Sequence, residues 1–138
     1  MFDIKNYLPQ REPFLFVDEI VQADLTLIVG QKTYDRDFIF VQECLSGEKY
    51  IPCAILLESL VQCGGAGVNM MGLGNKNIFA LATVRNLKMR SLVSPPACVE
   101  MKVKTIKAAG KVLRQKGEAY ANDKFVLSAE WSCIFLQQ

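Results

Sequence analysis

Residues 50–75 read YIPCAILLESLVQCGGAGVNMMGLGN and contain a single charged side chain, Glu58. The stretch is long enough to span a membrane. However, a carboxylate at mid-bilayer costs roughly 2.5–3.5 kcal/mol on insertion scales, and Gln62, Asn69 and several glycines interrupt the apolar run. We therefore predict a helix that is buried inside a soluble domain.

The ends of this helix are marked by proline and glycine. Pro52 suits the first helical turn, where its missing N–H costs nothing. The helix is predicted from Ala54 to about Met71, and Gly72 and Gly74 end it. Apolar residues cover nearly its whole circumference, which is typical of a helix enclosed by other elements. Three glycines that each cost about 1 kcal/mol relative to alanine in a helix predict a close approach to another element: Gly64, Gly65 and Gly67.

The rest of the chain predicts β-strands joined by short turns. Two strands precede the helix and four follow it, at residues 14–22, 25–34, 78–89, 99–104, 111–121 and 124–136. We predict one α+β domain over residues 1–138, with an antiparallel sheet wrapped around one long central helix. Six strands and one helix leave one sheet face thinly covered, so we expect at least a dimer.

The composition excludes several classes of site. The 138 residues are 51% apolar and include no histidine, which excludes Ser-His and Cys-His nucleophile pairs, histidine bases and histidine metal ligands. The five cysteines are odd in number and form no CxxC pair, which argues against disulfides or zinc. We predict a cytoplasmic protein with reduced thiols, no signal peptide, no metal and no cofactor.

Charge is distributed unevenly along the chain. Residues 1–75 carry a net charge of −5 and residues 76–138 carry +7. The basic half fits either an acidic partner or simply solvated strand faces. The overall charge of +2 is too small to indicate nucleic acid or an anionic membrane as a partner.

Glu58 is the candidate functional residue of the apolar helix. Burial of a carboxylate raises its pKa toward the range useful for a general acid, and Gln62, one turn later, is placed to orient it. The alternative is a structural glutamate that reaches solvent or pairs with a basic residue. The N–H groups around Cys53 and Ala54 lie at the positive end of the helix dipole, where they are able to polarise a carbonyl oxygen.

Three runs resemble one known family. Residues 8–20, LPQREPFLFVDEI, are similar to the opening of the 3-hydroxyacyl-acyl-carrier-protein dehydratases, with Gln10 in place of a histidine. Residues 52–65, PCAILLESLVQCGG, resemble the family's helix, and Glu58 and Gln62 fall on its glutamate and glutamine. Residues 79–96 resemble the strand and proline bend that follow. The resemblance implies a hot-dog fold and a dimer.

In that family a histidine removes the α-proton and the helix carboxylate protonates the departing 3-hydroxyl, with the two groups coming from opposite subunits. The carboxylate corresponds to Glu58, and the histidine position, counted back from Pro52, corresponds to Cys44. Gly47 falls on a glycine of the family's pattern before the helix, and Cys53 stands where the family has a glycine after the proline. A thiol is mostly neutral at pH 7, so Cys44 is either a weak base or a small apolar filler.

Three functions remain open at this point. The first is a dehydratase of acyl-carrier-protein thioesters in fatty acid or polyketide-type metabolism, with a carrier-binding surface at Arg85, Lys88 and Arg90 near the mouth of the acyl tunnel. The second is a non-catalytic or half-catalytic acyl-binding subunit that supplies Glu58 to a histidine-bearing partner in a heterodimer. The third is an acyl thioesterase in which Glu58 acts on water.

Overall fold

The computed structural model describes residues 2–74 and 78–136. A short 3-10 helix (Ile4–Asn6) precedes strands β1 (Glu19–Ala23) and β2 (Ile28–Tyr34). A small hairpin, β3 (Gln42–Glu43) and β4 (Lys49–Tyr50), leads into helix α1 (Cys53–Met70). Four long strands follow: β5 (Ile78–Met89), β6 (Ala97–Ala109), β7 (Val112–Ala121) and β8 (Lys124–Leu136).

Six of these strands form one antiparallel sheet in the order β1-β2-β6-β7-β8-β5. Alternate residues of β6, β7 and β8 point toward α1, and the core packs between this inner face and the helix. The largest fully buried side chains include Leu56, Leu60, Met101, Leu113 and Leu127. Helix α1 is long and apolar enough to cross a membrane, but it packs along the sheet as a core helix.

The predicted arrangement of six strands and one buried helix is confirmed, and the differences are local. The predicted strand at 14–22 begins only at Glu19. The Phe16 N–H donates to the Gln62 side chain and the Phe14 carbonyl accepts from it, so neither group pairs with a neighbouring strand. The β3–β4 hairpin was not predicted, since two-residue pairings carry no periodic pattern.

The helix glycines do not all have the same role. A Cβ added at Gly67 would lie 2.6 Å from Ile28 Cδ1, and one at Gly64 would lie 2.8 Å from Gln115 Cδ. A Cβ at Gly65 would make ordinary contact with Phe79 at 3.5 Å. The predicted close approach therefore holds for Gly64 and Gly67 but not for Gly65. On the sheet, a Cβ at Gly30 would lie 2.7 Å from the sulfur of Cys63, which is a buried residue of α1.

Strand β5 forms one edge of the sheet. Within the two described ranges it pairs only with β8, so its other edge is open. Residues 81–88 are all exposed. Leu81 and Val84 pair with the core residues Cys133 and Trp131 and share their side of the sheet, yet they are 44% and 37% exposed. The inner face therefore leaves apolar surface uncovered beside the helix.

Candidate active site

Glu58 lies on the second turn of α1 and is half-buried. Desolvation by the surrounding apolar residues raises the pKa of its carboxyl, and a hydrogen bond from Gln62 partly opposes this rise. The bond runs from Gln62 Nε2 to Glu58 Oε1 over 3.1 Å. Because its pKa is raised, Glu58 holds its proton at higher pH than an exposed glutamate, as a general acid requires.

The Gln62 side chain also ties the helix to the N-terminal segment. Its Oε1 accepts from the Phe16 N–H at 2.8 Å, and its Nε2 donates to the Phe14 carbonyl at 2.9 Å. With only 2% exposure, the amide is shielded from water on all sides. Gln62 therefore meets Glu58 from a fixed position.

The start of α1 offers backbone donors to a substrate. Pro52 occupies the N-cap and no side chain caps this end. The Ile55 and Leu56 N–H groups donate to the Pro52 carbonyl, which leaves the N–H groups of Cys53 and Ala54 without an intrahelical acceptor. Ala54 is exposed and Cys53 is half-buried. Burial raises the pKa of the Cys53 thiol, which keeps it neutral next to these donors.

Cys44 and Gly47 lie in the turn of the β3–β4 hairpin. The Cys44 N–H donates to the Glu48 carbonyl at 2.7 Å, and the Gly47 N–H donates to the Cys44 carbonyl at 2.9 Å. Gly47 has φ +89°, a conformation that favours glycine. Leu45, between them, is fully exposed. No hydrogen bond joins this hairpin to Glu58 in the part of the chain that the structure describes.

The basic residues proposed for partner binding lie away from Glu58. Arg85 pairs with Glu130 and Lys88 with Ser128 on β8, and both basic side chains line shallow grooves on the outer face of the sheet, opposite α1. Arg90 is exposed just beyond β5, and its N–H donates to the Val126 carbonyl at 2.7 Å. Arg85 and Lys88 thus lie on the same face of the sheet but in different grooves, and that face is opposite the helix that carries Glu58.

Two residues near Glu58 were missed by the sequence analysis. Ser59 is fully buried, donates to the Phe16 carbonyl at 2.8 Å and is hydrogen-bonded to the hydroxyl of Tyr34. The sequence does contain an indication of this contact: Ser59 lies inside an apolar helix, and a buried hydroxyl needs hydrogen-bond partners. Cys133 of β8 was also missed, and its pKa is raised to about 11, first by burial and then by the nearby Glu58 charge.

No cluster of three or more metal-ligating side chains occurs among residues 2–74 and 78–136. Glu58, with its raised pKa, lies on the second turn of α1, whose N-terminal end has no side-chain cap.

Comparison with known proteins identifies the family. Residues 8–130 match the FabA-like domain. The chain is 33% identical over 137 residues to a 3-hydroxyacyl-[acyl-carrier-protein] dehydratase FabZ of Protochlamydia amoebophila, covering 98% of this chain and 88% of that protein. It is 31% identical over 129 residues to the FabZ of Syntrophobacter fumaroxidans, covering 92% and 87%.

Solved structures show the same fold at low sequence identity. The dehydratase heterocomplex ApeI:P of Xenorhabdus doucetiae matches with a TM-score of 0.85 at 14% identity, covering 100% of this chain and 93% of that one. A hypothetical thioesterase of Streptococcus pneumoniae matches with a TM-score of 0.66 at 11% identity, covering 87% and 86%. The chain has the hot-dog fold and belongs to the FabA-like domain family, with FabZ dehydratases as relatives.

Proposed function

We propose that the protein acts on 3-hydroxyacyl thioesters of acyl carrier protein as a dehydratase-like lyase of fatty acid or polyketide-type metabolism, with Glu58 as the acid. The observation that carries this proposal is a half-buried carboxylate with a raised pKa, held by the Gln62 amide at 3.1 Å, in a chain of the FabA-like family. The FabZ relatives are named for this activity.

In the proposed reaction the C–H bond at the α-carbon breaks and its electrons form the new double bond. The C3–O bond breaks at the neighbouring β-carbon, and the hydroxyl takes the Glu58 proton and leaves as water. The α-proton passes to the base, and exchange with solvent returns a proton to the Glu58 carboxylate. The backbone N–H groups of Cys53 and Ala54 hold the thioester carbonyl, where negative charge develops. Gly47 shapes the hairpin beside the substrate, and Cys44 takes the position of the base.

The test uses mass spectrometry to measure whether the purified protein removes water from a 3-hydroxyacyl thioester. Glu58→Gln should lower the rate by about 10²–10⁴-fold. Glu19→Gln, exposed on strand β1, is the matched control and should leave the rate unchanged. Release of free thiol in place of water would support a thioesterase and refute the proposal.

A half-catalytic role is the second candidate, and the absence of histidine from the chain favours it. In this role Glu58 supplies the acid to the active site of a heterodimer, and the other hot-dog chain supplies a histidine as the base. The open edge of β5 and the exposed Leu81 and Val84 supply a surface for such a partner or for a second copy. Activity that appears only after mixing with a histidine-bearing dehydratase chain would select this version over an active homodimer.

Carrier protein is the proposed macromolecular partner, with docking through Arg85, Lys88 and Arg90. The outer sheet face around them supports this, since Lys102, Lys104 and Lys116 line the same groove as Lys88 and acidic partners are attracted to such a surface. Replacing both Arg85 and Lys88 with glutamate should weaken carrier binding measured by calorimetry, while Lys5→Glu, on the exposed N-terminal 3-10 helix, should not. We also place the protein in the cytoplasm.

A further inference from the structure

Two backbone groups fix the orientation of the Gln62 amide. The Phe16 N–H can only donate, so the Gln62 atom facing it at 2.8 Å must be the oxygen. The Phe14 carbonyl can only accept, so the atom facing it at 2.9 Å must be the nitrogen. A flipped amide would break both bonds. The same nitrogen faces Glu58 Oε1 at 3.1 Å, so Glu58 always meets a donor there.

The position of Phe16 is fixed in turn by two buried hydroxyls. Ser59 donates its one hydrogen to the Phe16 carbonyl at 2.8 Å, so in its bond with Tyr34 it must accept the tyrosine hydrogen. Tyr34 and Ser59 are both fully buried. Burial also raises the pKa of the Tyr34 hydroxyl, so it remains a donor. Every bond in the chain from Tyr34 to Glu58 therefore has one allowed direction.

We propose that Tyr34 and Ser59 are positioning residues for Glu58, acting through Phe16 and the Gln62 amide, and that this arrangement keeps the acid's proton on Oε2. Oε1 faces an N–H hydrogen, which leaves Oε2 as the oxygen that carries the proton toward the substrate. The inference rests on the proposed function insofar as Glu58 is the acid. The hydrogen-bond chain itself is independent of any activity.

The other groups around Glu58 leave this arrangement intact. Cys133, on β8, is electrostatically coupled to Glu58, and its pKa of about 11 keeps it neutral. On the helix itself, Cys53 also has a raised pKa. The ion pairs in the described part of the chain, Lys32–Asp18 and Lys102–Glu100, do not include Glu58. Gln62 is thus the group that opposes the effect of burial on Glu58.

The experiment is a titration of the Glu58 side-chain carboxyl by carbon-detected NMR, with its signal assigned by its loss in Glu58→Gln. Gln62→Leu removes the N–H donor to Glu58 and should raise the Glu58 pKa. The size of this rise is the full contribution of the Gln62 hydrogen bond, against which the other variants are compared. Ser59→Ala frees the Phe16 carbonyl and should produce at least half of that upward shift. The double variant Tyr34→Phe, Ser59→Ala leaves no orphaned hydroxyl and should shift the pKa equally.

Thr105→Val is the matched control. It removes a hydroxyl that accepts from the buried Gln115 amide at 3.1 Å, and Gln115 also contacts α1 through the Gly64 carbonyl. This variant should leave the Glu58 titration unchanged. The proposal is overturned if Glu58 titrates as in the wild type in the Ser59 variants, or if Thr105→Val shifts it equally. A protein without dehydratase activity would still give the titration, so the failure of the proposed function is a separate outcome.

Discussion

Gly65→Ala should stabilise the protein, whereas Gly64→Ala, one residue earlier in α1, should destabilise it. Both substitutions replace glycine with alanine inside a helix, which gains about 1 kcal/mol of stability. They differ only in what the added methyl group meets. At Gly65 it lies 3.5 Å from a ring carbon of Phe79 and 3.9 Å from Leu8 Cδ2, which are ordinary contacts. Gly65→Ala therefore keeps the full gain in helix stability.

At Gly64 the added methyl group overlaps the buried Gln115 amide, at 2.8 Å from Cδ and 3.0 Å from Nε2. Gln115 has no room to give way, because it donates to the Gly64 carbonyl at 3.2 Å and accepts from Trp131 Nε1 at 3.3 Å. Overpacking costs about 1–3 kcal/mol, and a buried donor left without a partner costs about 1–3 kcal/mol more. We expect a net loss of about 2 kcal/mol.

The assay is urea denaturation at equal protein concentration, since self-association would shift the apparent stability. Thermal melting is a second measurement, in which Gly65→Ala should raise Tm by about 3–5 °C. The two variants should differ by about 3 kcal/mol with opposite signs. Equal effects of the two substitutions, or a loss of more than about 1 kcal/mol for Gly65→Ala, would refute the packing argument.

Three further outcomes are expected. Glu58→Gln should stabilise the protein at pH 7, because the raised native pKa makes the charged form of Glu58 unfavourable. The gain should vanish in urea denaturation well below pH 4.5, the ordinary glutamate pKa, where Glu58 is protonated in folded and unfolded states alike. An equal effect at both pH values would contradict this. Gln115→Leu should cost about 2–4 kcal/mol in the same assay, because it removes the three hydrogen bonds of the buried Gln115 amide; a neutral effect would show that these bonds contribute nothing. In the native protein at pH 8, a thiol reagent should modify the exposed Cys98 first, and should reach Cys63 and Cys133, with pKa values of about 12 and 11, only after unfolding.

The fold was predictable because its main elements carry local patterns. The apolar run ends at Gly72, which has φ +75°, and alternation along β6 and β8 marks their inner faces. Besides the short β3–β4 hairpin, the exception is the segment before β1, where the Phe16 N–H is hydrogen-bonded to a helix side chain 46 residues away in sequence. No pattern within the segment itself can indicate such partners.

The site was predictable only in part. Spacing of four residues along a helix places Gln62 beside Glu58, and the hydrogen bond is present. Tyr34 lies 25 residues before Ser59, so their contact depends on how β2 packs under α1. The outer-face position of Arg85 depends likewise on the register between β5 and β8, including its two bulges, and a one-residue slip would reverse it.

Gly30 of β2 and Cys63 of α1 share a small volume between the sheet and the helix. A methyl group at position 30 would lie 2.7 Å from the Cys63 sulfur and 3.1 Å from Ile20 Cδ1, so neither position is free to enlarge alone. Descendants of this sequence that acquire alanine at 30 must first, or simultaneously, shrink residue 63, and the two substitutions will be non-additive. Close packing of helix and sheet at this point thus predicts that residues 30 and 63 change together.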